Sequence, residues 1–401
     1  MRISTNTEFQ RSVAGITTLR ANLDIYRQQV STGKRLSTAA EDPAAAAQIL
    51  NLGERMSSLD QFTRNANLLN LRLSDQESAL SAGVNNLQRV RELVLQGRSA
   101  GLRLEDRRYI SAEIRQRLEE LTGLANTRNA SGEYIFAGAA VKTPPFASDG
   151  AGVVSYNGDQ TTRALPIAEG RTLSEGFTGA DAFMAIRNGN GTFVTGLGAT
   201  NTGTGRVVSD SVINSAAYVA EDFRIVFTAP NTFDVINDTT GSVVLPAQTF
   251  TPGAAIAFNG STVAISGVPA TGDSFSIKPS ENQSVFDSIN LLIGALDSTA
   301  TTGPQNAQRD FAMDAGLMGL DQALEKFTEL RATVGARQNT LDSQLQANDD
   351  LTFQLTQAKA TLEDADPVAA ISNISRYSQA LEAAQAAFAK VQGLSLFNYL
   401  R

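Results

Sequence analysis

Apolar residues recur at helical steps at both ends of the chain and lose that rhythm in the middle. Over residues 7–32, Ile16, Leu19, Leu23, Tyr26 and Val30 fall three or four positions apart, the spacing of one helix face. Gly33 then stands where a helix C-cap needs a left-handed residue, and a short basic loop, Lys34-Arg35-Leu36-Ser37, follows. Asp42 before Pro43 predicts an N-cap and a first helical position. From there to about Gly97, Leu52, Met56, Leu59, Ala66, Leu73, Leu80, Val84, Leu87 and Val94 keep alternating steps of three and four, with Thr63, Asn70, Glu77 and Arg91 as polar interruptions. A helix of about 55 residues spans about 80 Å, against about 10–14 residues for an ordinary globular helix.

A shorter helix is predicted around 105–130 by Ile110, Ile114, Leu118, Leu121 and Leu124. Residues 317–362 repeat the long pattern through Leu317, Leu320, Leu324, Phe327, Val334, Leu341, Leu345, Leu355 and Leu362, broken by Arg331, Gln338, Asn348 and Lys359. Asp366-Pro367 repeats the helix start, and Ile371, Ile374, Leu381, Phe388 and Val391 stripe the last helix. The order is roughly mirror-symmetric, so the second half is expected to return antiparallel to the first.

Between about 140 and 285, Gly, Thr, Ser and Asn dominate. Phe223-Arg224-Ile225-Val226-Phe227 alternates, Thr232-Phe233-Asp234-Val235-Ile236 follows a turn, and Asn237-Asp238-Thr239-Thr240-Gly241 reads as another turn before Ser242-Val243-Val244-Leu245. Asn259-Gly260 between Ala255-Ile256 and Val263-Ala264-Ile265 is a hairpin signal. The expected fold is therefore mainly α with an inserted β domain: a long antiparallel coiled-coil bundle of N- and C-terminal segments with a β-rich domain at its tip. The expected domains are 1–41 with 364–401, a terminal helical polymerisation domain; 42–172 with 283–363, the long-helix bundle with a small β-hairpin region; and 173–282, the outer β domain.

Composition narrows the chemistry. The chain of 401 residues has no Cys and no His, which removes disulfides, thiolate nucleophiles and imidazole bases or ligands. A formal net charge of -8 argues against nucleic-acid binding. No apolar run is long enough to span a membrane. The start, Met1-Arg2-Ile3-Ser4-Thr5-Asn6, lacks the apolar stretch and cleavage site of a secretory signal peptide. The acidic pairs Glu41-Asp42, Glu119-Glu120, Glu221-Asp222 and Asp349-Asp350 read as solvated charge, since neighbours on a helix do not share a face. Asn188-Gly189-Asn190-Gly191 and Gly196-Leu197-Gly198 lack the Lys-Ser/Thr of a phosphate loop and read as flexible loops. No catalytic, cofactor-binding or metal-ligating residue is expected, and no enzyme.

The terminal stripes carry the remaining information. Neither end helix can bury its stripe alone, and the breaks at 33–41 and 363–366 separate them from the main bundle. They are expected to pack on each other and on neighbouring subunits, which makes Ile16, Leu19, Leu23, Tyr26, Val30, Ile371, Ile374, Leu381, Phe388 and Val391 the candidate assembly interface, with Leu381 and Phe388 facing Leu19 and Leu23.

Ser31-Thr32-Gly33-Lys34-Arg35-Leu36-Ser37 through Glu41-Asp42-Pro43-Ala44 resembles the N-terminal segment of the flagellin superfamily, and Leu394-Ser395-Leu396-Phe397-Asn398-Tyr399-Leu400 resembles its C-terminal end. Met1-Arg2-Ile3-Ser4-Thr5, Gly132-Glu133-Tyr134-Ile135-Phe136-Ala137-Gly138, Pro145-Phe146 and Tyr156-Asn157-Gly158-Asp159 look like the hook–filament junction branch of that superfamily. The resemblance covers about 1–170 and 285–401. It implies a structural flagellar subunit, exported without a cleavable signal with the help of a cytoplasmic export chaperone. It further implies a ring of self-associated subunits between hook-associated protein 1 and flagellin, outside the cell. A flagellin filament subunit is the alternative, and neither role implies a cofactor, nucleic acid or membrane insertion.

Overall fold

A computed structural model describes residues 5–99, 101–150 and 152–397, with side chains from 7 to 391. Six helices frame it: α1 (Thr5–Thr32), α2 (Pro43–Gly97), α3 (Leu104–Ala125), α4 (Val285–Asp297), α5 (Gly303–Glu363) and α6 (Pro367–Phe397). The chain forms two compact units, residues 1–64 with 343–401 and residues 65–342. Both divisions fall inside α2 and α5, so each long helix contributes to both units. The mainly-α fold with a β insertion is borne out.

In the larger unit α2 and α5 run antiparallel, and Leu73, Leu80, Leu87 and Val94 of one and Leu320, Phe327, Val334 and Leu341 of the other are fully buried. The polar interruptions of the two heptad patterns find one another. Glu77 accepts from Arg331 at 2.8 Å, and Asn70 accepts from Gln338 at 3.5 Å. A step of seven down α2 is matched by a step of seven up α5. Arg91 pairs with Asp321 at 2.9 Å nearer the helix ends. Polar groups at such seam positions contribute little to stability but penalise every other alignment.

Helix α4 lies against α5 through glycine. A Cβ on Gly316 would meet Leu292 at 2.5 Å, and one on Gly319 would meet Ser288 at 2.4 Å. Val285, Phe286, Ile289, Leu292, Ile293 and Leu296 form the buried face of α4. Its Ser284 cap accepts from the Asp287 amide at 3.0 Å. Around it sits an aromatic cluster. Phe183 packs edge-on against Phe136 (5.1 Å), Phe146 (5.3 Å) and Phe327 (5.3 Å), and Phe286 joins at 5.5 Å from Phe146.

The segment between α3 and the sandwich is stitched to this cluster. It carries the hairpins β1 (Phe146–Ser148) with β2 (Val154–Tyr156) and β3 (Ala164–Ala168) with β4 (Arg171–Ser174), then a one-turn π-helix, Ala180–Met184. The buried Gln76 of α2 holds it three ways, donating to the carbonyls of Ile135 (2.9 Å) and Phe177 (3.0 Å) and accepting from the Phe177 amide (3.0 Å). Arg72 pairs with Glu133 and Glu175, and Arg163 pairs with Glu175.

The β insertion begins after β5 (Ile186–Arg187), which pairs with β14 (Asn282–Gln283) so that the chain enters and leaves side by side. Between them lie β6 (Phe193–Leu197), β7 (Arg206–Val212), β8 (Phe223–Ala229), β9 (Thr232–Asn237), β10 (Ser242–Thr249), β11 (Ala255–Phe258), β12 (Ser261–Ser266) and β13 (Ser274–Pro279). They form an antiparallel five-stranded sheet, β10-β9-β8-β13-β6, and a three-stranded sheet, β11-β12-β7, over one core that includes Phe227, Val263, Ile265 and Phe275. Arg206 on β7 meets Asp314 on α5 at 2.9 Å, and Asp314 also holds Arg98 at 2.7 Å. The alternation over 223–227, the turn at 237–241 and the Asn259-Gly260 hairpin stand as expected. The outer domain was expected from 173, whereas Phe183 and Ile186 pack in the helical core.

Two outcomes follow from this packing. Glu77→Arg sets two guanidinium groups side by side at a site about a third exposed and costs about 1 kcal/mol, and the exchange Glu77→Arg with Arg331→Glu recovers most of it; urea unfolding of the single and double variants reads this. Replacing residues 189–280 by a two-residue turn keeps β5 paired with β14 and leaves the helical core folded, measured as retained helical circular dichroism with a cooperative melt.

Candidate assembly interface

The smaller unit holds the terminal helices. α1 and α6 pair antiparallel, as two ring contacts show. Phe9 meets Phe388 at 5.3 Å, and Tyr26 stacks on Tyr377 at 5.5 Å. Leu19 and Leu381 fall between these rings along their helices. Leu23 is buried, as is Ala370, while Ile16, Leu19, Tyr26, Ile374, Leu381 and Phe388 are half-buried. The other three candidate residues face outward: Val30 is 41% exposed, and Ile371 and Val391 are each 55% exposed. Ile371 follows buried Ala370 and is turned about 100° from it around the helix. It sits three positions after Val368, which is 76% exposed, so the two share an uncovered apolar edge.

Sequence reasoning placed Leu19 and Leu23 opposite Leu381 and Phe388, but the ring partner of Phe388 is Phe9. Phe9 stands one step of seven before Ile16, and Tyr377 lies three after Ile374 and four before Leu381. Extending the heptads in both directions finds them.

The breaks that join the end helices to the long ones cross each other. Gly33 adopts φ +71, which ends α1 and turns the chain. Its carbonyl accepts from the Ala365 amide at 2.9 Å, and the Arg35 amide donates to the Glu363 carbonyl at 2.6 Å. The Arg35 guanidinium reaches the Leu362 carbonyl at 2.8 Å, and Lys34 forms an ion pair with Glu363. The hydrogen bond with Lys34 holds the Glu363 carboxyl below its ordinary range, with Lys359 adding to it, and Glu363 holds the Lys34 ammonium above its own. Both expected caps are in place. Asp42 accepts from the Ala45 amide at 3.0 Å, and Asp366 accepts from the amides of Val368 (2.9 Å) and Ala369 (3.1 Å).

Several side chains weighed as chemistry are engaged in this scaffold. Glu41 accepts from the Ser37 amide and the Thr38 hydroxyl, and Glu120 pairs with Arg117. Among the described residues no group of three or more acidic side chains is placed to hold a metal ion, and no helix is long and apolar enough to cross a membrane.

Comparison with known proteins identifies the family. The bacterial flagellin N-terminal helical region matches residues 3–141, and the C-terminal helical region matches residues 317–400. The flagellar hook-associated protein 3 of Escherichia coli (strain K12) is 25% identical over 398 residues, 99% of each chain. The crystal structure of the flagellar junction protein FlgL from Legionella pneumophila is 32% identical with a TM-score of 0.70, covering 80% of this chain and 100% of its own. That of FlgL from Xanthomonas campestris is 32% identical with a TM-score of 0.69, covering 76% and 99%. The chain belongs to the hook-associated protein 3 family. It is thus a structural protein of the bacterial flagellum, not an enzyme.

The motifs by which the chain resembles this family have separate structural duties. Gly33, Lys34, Arg35, Glu41 and Asp42 build the crossing joint, and Phe136, Phe146 and Tyr156 build the aromatic cluster. Residues 1–4 and 398–401 of the terminal motifs lie outside the described residues.

The Lys34–Glu363 pair gives the joint of this family member a pH window. Depression of the Glu363 pKa stabilises the joint above the ordinary carboxylate range and is lost as pH falls through the depressed value. Elevation of the Lys34 pKa stabilises it below the ordinary lysine value and is lost as pH rises through the raised one. Hydrogen-exchange protection of the Arg35 and Ala365 amides is expected to fall in acid in the wild type. In Glu363→Gln it is lower at neutral pH and loses this acid-side step.

Proposed function

We propose that this protein forms the layer between hook-associated protein 1 and the flagellin filament, as a ring of identical subunits whose α1–α6 pairs pack side by side. Before leaving the cell, subunits are accompanied in the cytoplasm by a flagellar export chaperone. The observation that carries the reading is the two-sided apolar character of the terminal pair. One stripe, through Leu23, Ile374 and Phe388, is spent largely inside the chain, while Val368, Ile371, Val391, Val13 and Val30 remain uncovered and Phe9, in ring contact with Phe388, is itself still 46% exposed. Exposed apolar side chains collected on a small helical pair are what subunit contacts cover.

The ten candidate residues then divide by role. Ile16, Leu19, Leu23, Tyr26, Ile374, Leu381 and Phe388 hold the pair together, and Val30, Ile371 and Val391 meet neighbours. Ile371→Asp is expected to leave the soluble subunit within about 0.5 kcal/mol of wild type, because the site is exposed. It should be exported but fail to form the junction, so that flagellin escapes into the medium and cells carry bare hooks. Leu381→Asp places a charge against α1 and costs the pair about 1–3 kcal/mol, so α1 and α6 lose exchange protection already in the soluble subunit. Supernatant blots, electron microscopy of hooks and hydrogen exchange separate the two. Normal filaments on Ile371→Asp cells would refute the outward role. Immunogold label along the whole filament, rather than in a band at the hook end, would favour a flagellin.

A further inference from the structure

The chain contains four Asn-Gly steps, at 157–158, 188–189, 190–191 and 259–260. Asn-Gly is the step most open to cyclisation, because glycine lacks the Cβ that shields its backbone nitrogen. Folding treats the four differently. Asn188 accepts from the Glu281 amide at 2.9 Å. Asn190 accepts from the amides of Thr192 (3.0 Å) and Phe193 (2.9 Å) and donates to Asp210 (3.3 Å). Asn259 accepts from the Val219 amide (3.0 Å) and donates to the Val219 carbonyl (2.7 Å). The side-chain amide of Asn157 is exposed and bonds to no described residue, and the amide of Gly158 has no backbone acceptor.

We infer that Asn157 is a site of spontaneous chemical modification, deamidation through a succinimide, while the other three asparagines are protected by their hydrogen bonds. The Gly158 nitrogen loses its proton to water or hydroxide and attacks Asn157 Cγ. The new C–N bond closes the ring, the Cγ–Nδ2 bond breaks, and ammonia leaves after taking a proton. Water then opens the ring at one of its two carbonyls. Opening at one gives an ordinary aspartate, and opening at the other gives isoaspartate, with the main chain rerouted through the side chain.

The position makes the change consequential. The Asn157 amide donates to the Pro145 carbonyl at 2.7 Å, and the Asp159 amide donates to the Ala137 carbonyl at 2.9 Å. The Tyr156 hydroxyl donates to the Asp159 carbonyl at 2.7 Å, and burial pushes its pKa up to about 12. Tyr156 joins the aromatic cluster through a tilted contact with Phe146, ring centroids 5.2 Å apart. An isoaspartate adds one backbone carbon between two of these bonds, so both cannot be kept. The ordinary aspartate adds only a charge at an exposed position and leaves them intact.

The test is peptide mapping by mass spectrometry of the purified full chain during incubation in mildly alkaline buffer, native and in urea. The side-chain hydrogen bonds that must break before attack, one at Asn188, three at Asn190 and two at Asn259, slow these sites, so the native chain should gain acid at Asn157 at least about tenfold faster than at Asn190 or Asn259 and several-fold faster than at Asn188. In urea the four rates should converge. Isoaspartate at this position, detected by methyltransferase labelling, should accompany a lower melting temperature, which Asn157→Asp does not reproduce and Asn157→Gln prevents on the same timescale. Equal native rates at the four sites, or a faster native rate at any of the other three, would overturn the inference. So would an isoaspartate-rich fraction melting with the fresh protein.

Discussion

The helical part of the larger unit depends on α2 and α5 meeting in one alignment. A seam of leucines repeating every seven residues does not fix that by itself, since a slip of one heptad sets leucine against leucine again. The polar interruptions remove the freedom. With α5 moved by seven, Glu77 would face Gln338, and Arg331 would face Val84. One charge would lose its partner and the other would be pressed on an apolar side chain. The loss is modest for groups a third exposed, but it recurs at Asn70–Gln338 and again at Arg91–Asp321, so every slipped register is penalised several times.

That alignment is inherited by the rest of the unit. Gln76 and Arg72 stand on α2 beside the seam and hold the segment from Glu133 to Phe177. Phe327, Gly316 and Gly319 stand on α5 and receive Phe183 and α4. The aromatic cluster therefore assembles from four separate stretches of sequence only when α2 and α5 are in register. The sandwich is less dependent. Its core is made of its own strands, and it joins the helices through the β5–β14 pair, the Arg206–Asp314–Arg98 bridge and Phe311. An insertion that closes on itself can vary without disturbing the seam, whereas a change at Phe183 or Phe286 cannot.

The helical frame was legible because its signals are local: periodicity over dozens of residues, Asp-Pro at two starts, glycine at one end. The strands with clean alternation or an Asn-Gly turn were legible for the same reason. Helix α4 was not, because it is short and its apolar residues, Val285-Phe286, Ile289 and Leu291-Leu292-Ile293, run beyond one stripe, leaving Asp287, Leu291 and Gly294 as a narrow exposed face that is only partly polar. β6, β7 and β13 were hidden by Gly, Ser and Thr, whose place in a sheet is decided by partners distant in sequence. In the terminal pair the stripe was visible, but which apolar residues turn inward was not. Ile371 and Ile374 are the same residue type three positions apart, and the tertiary partner alone sends one to α1 and leaves the other outside.

That last ambiguity has a physical basis in how little a two-helix pair can bury. Each helix of α1 and α6 has one face to offer the other, and a stripe about 100° wide exhausts it. Any apolar residue beyond that stripe must stay in water or be covered by another molecule. A stand-alone domain would replace such residues with polar ones, since exposed Val and Ile add little to its stability and promote association. Here Val368, Ile371 and Val391 stay apolar at more than half exposure, whereas among the large apolar residues of α4 only Leu291 is exposed. The terminal pair thus leaves part of its apolar surface uncovered. Any molecule that covers those side chains stabilises the pair in proportion to its concentration and affinity.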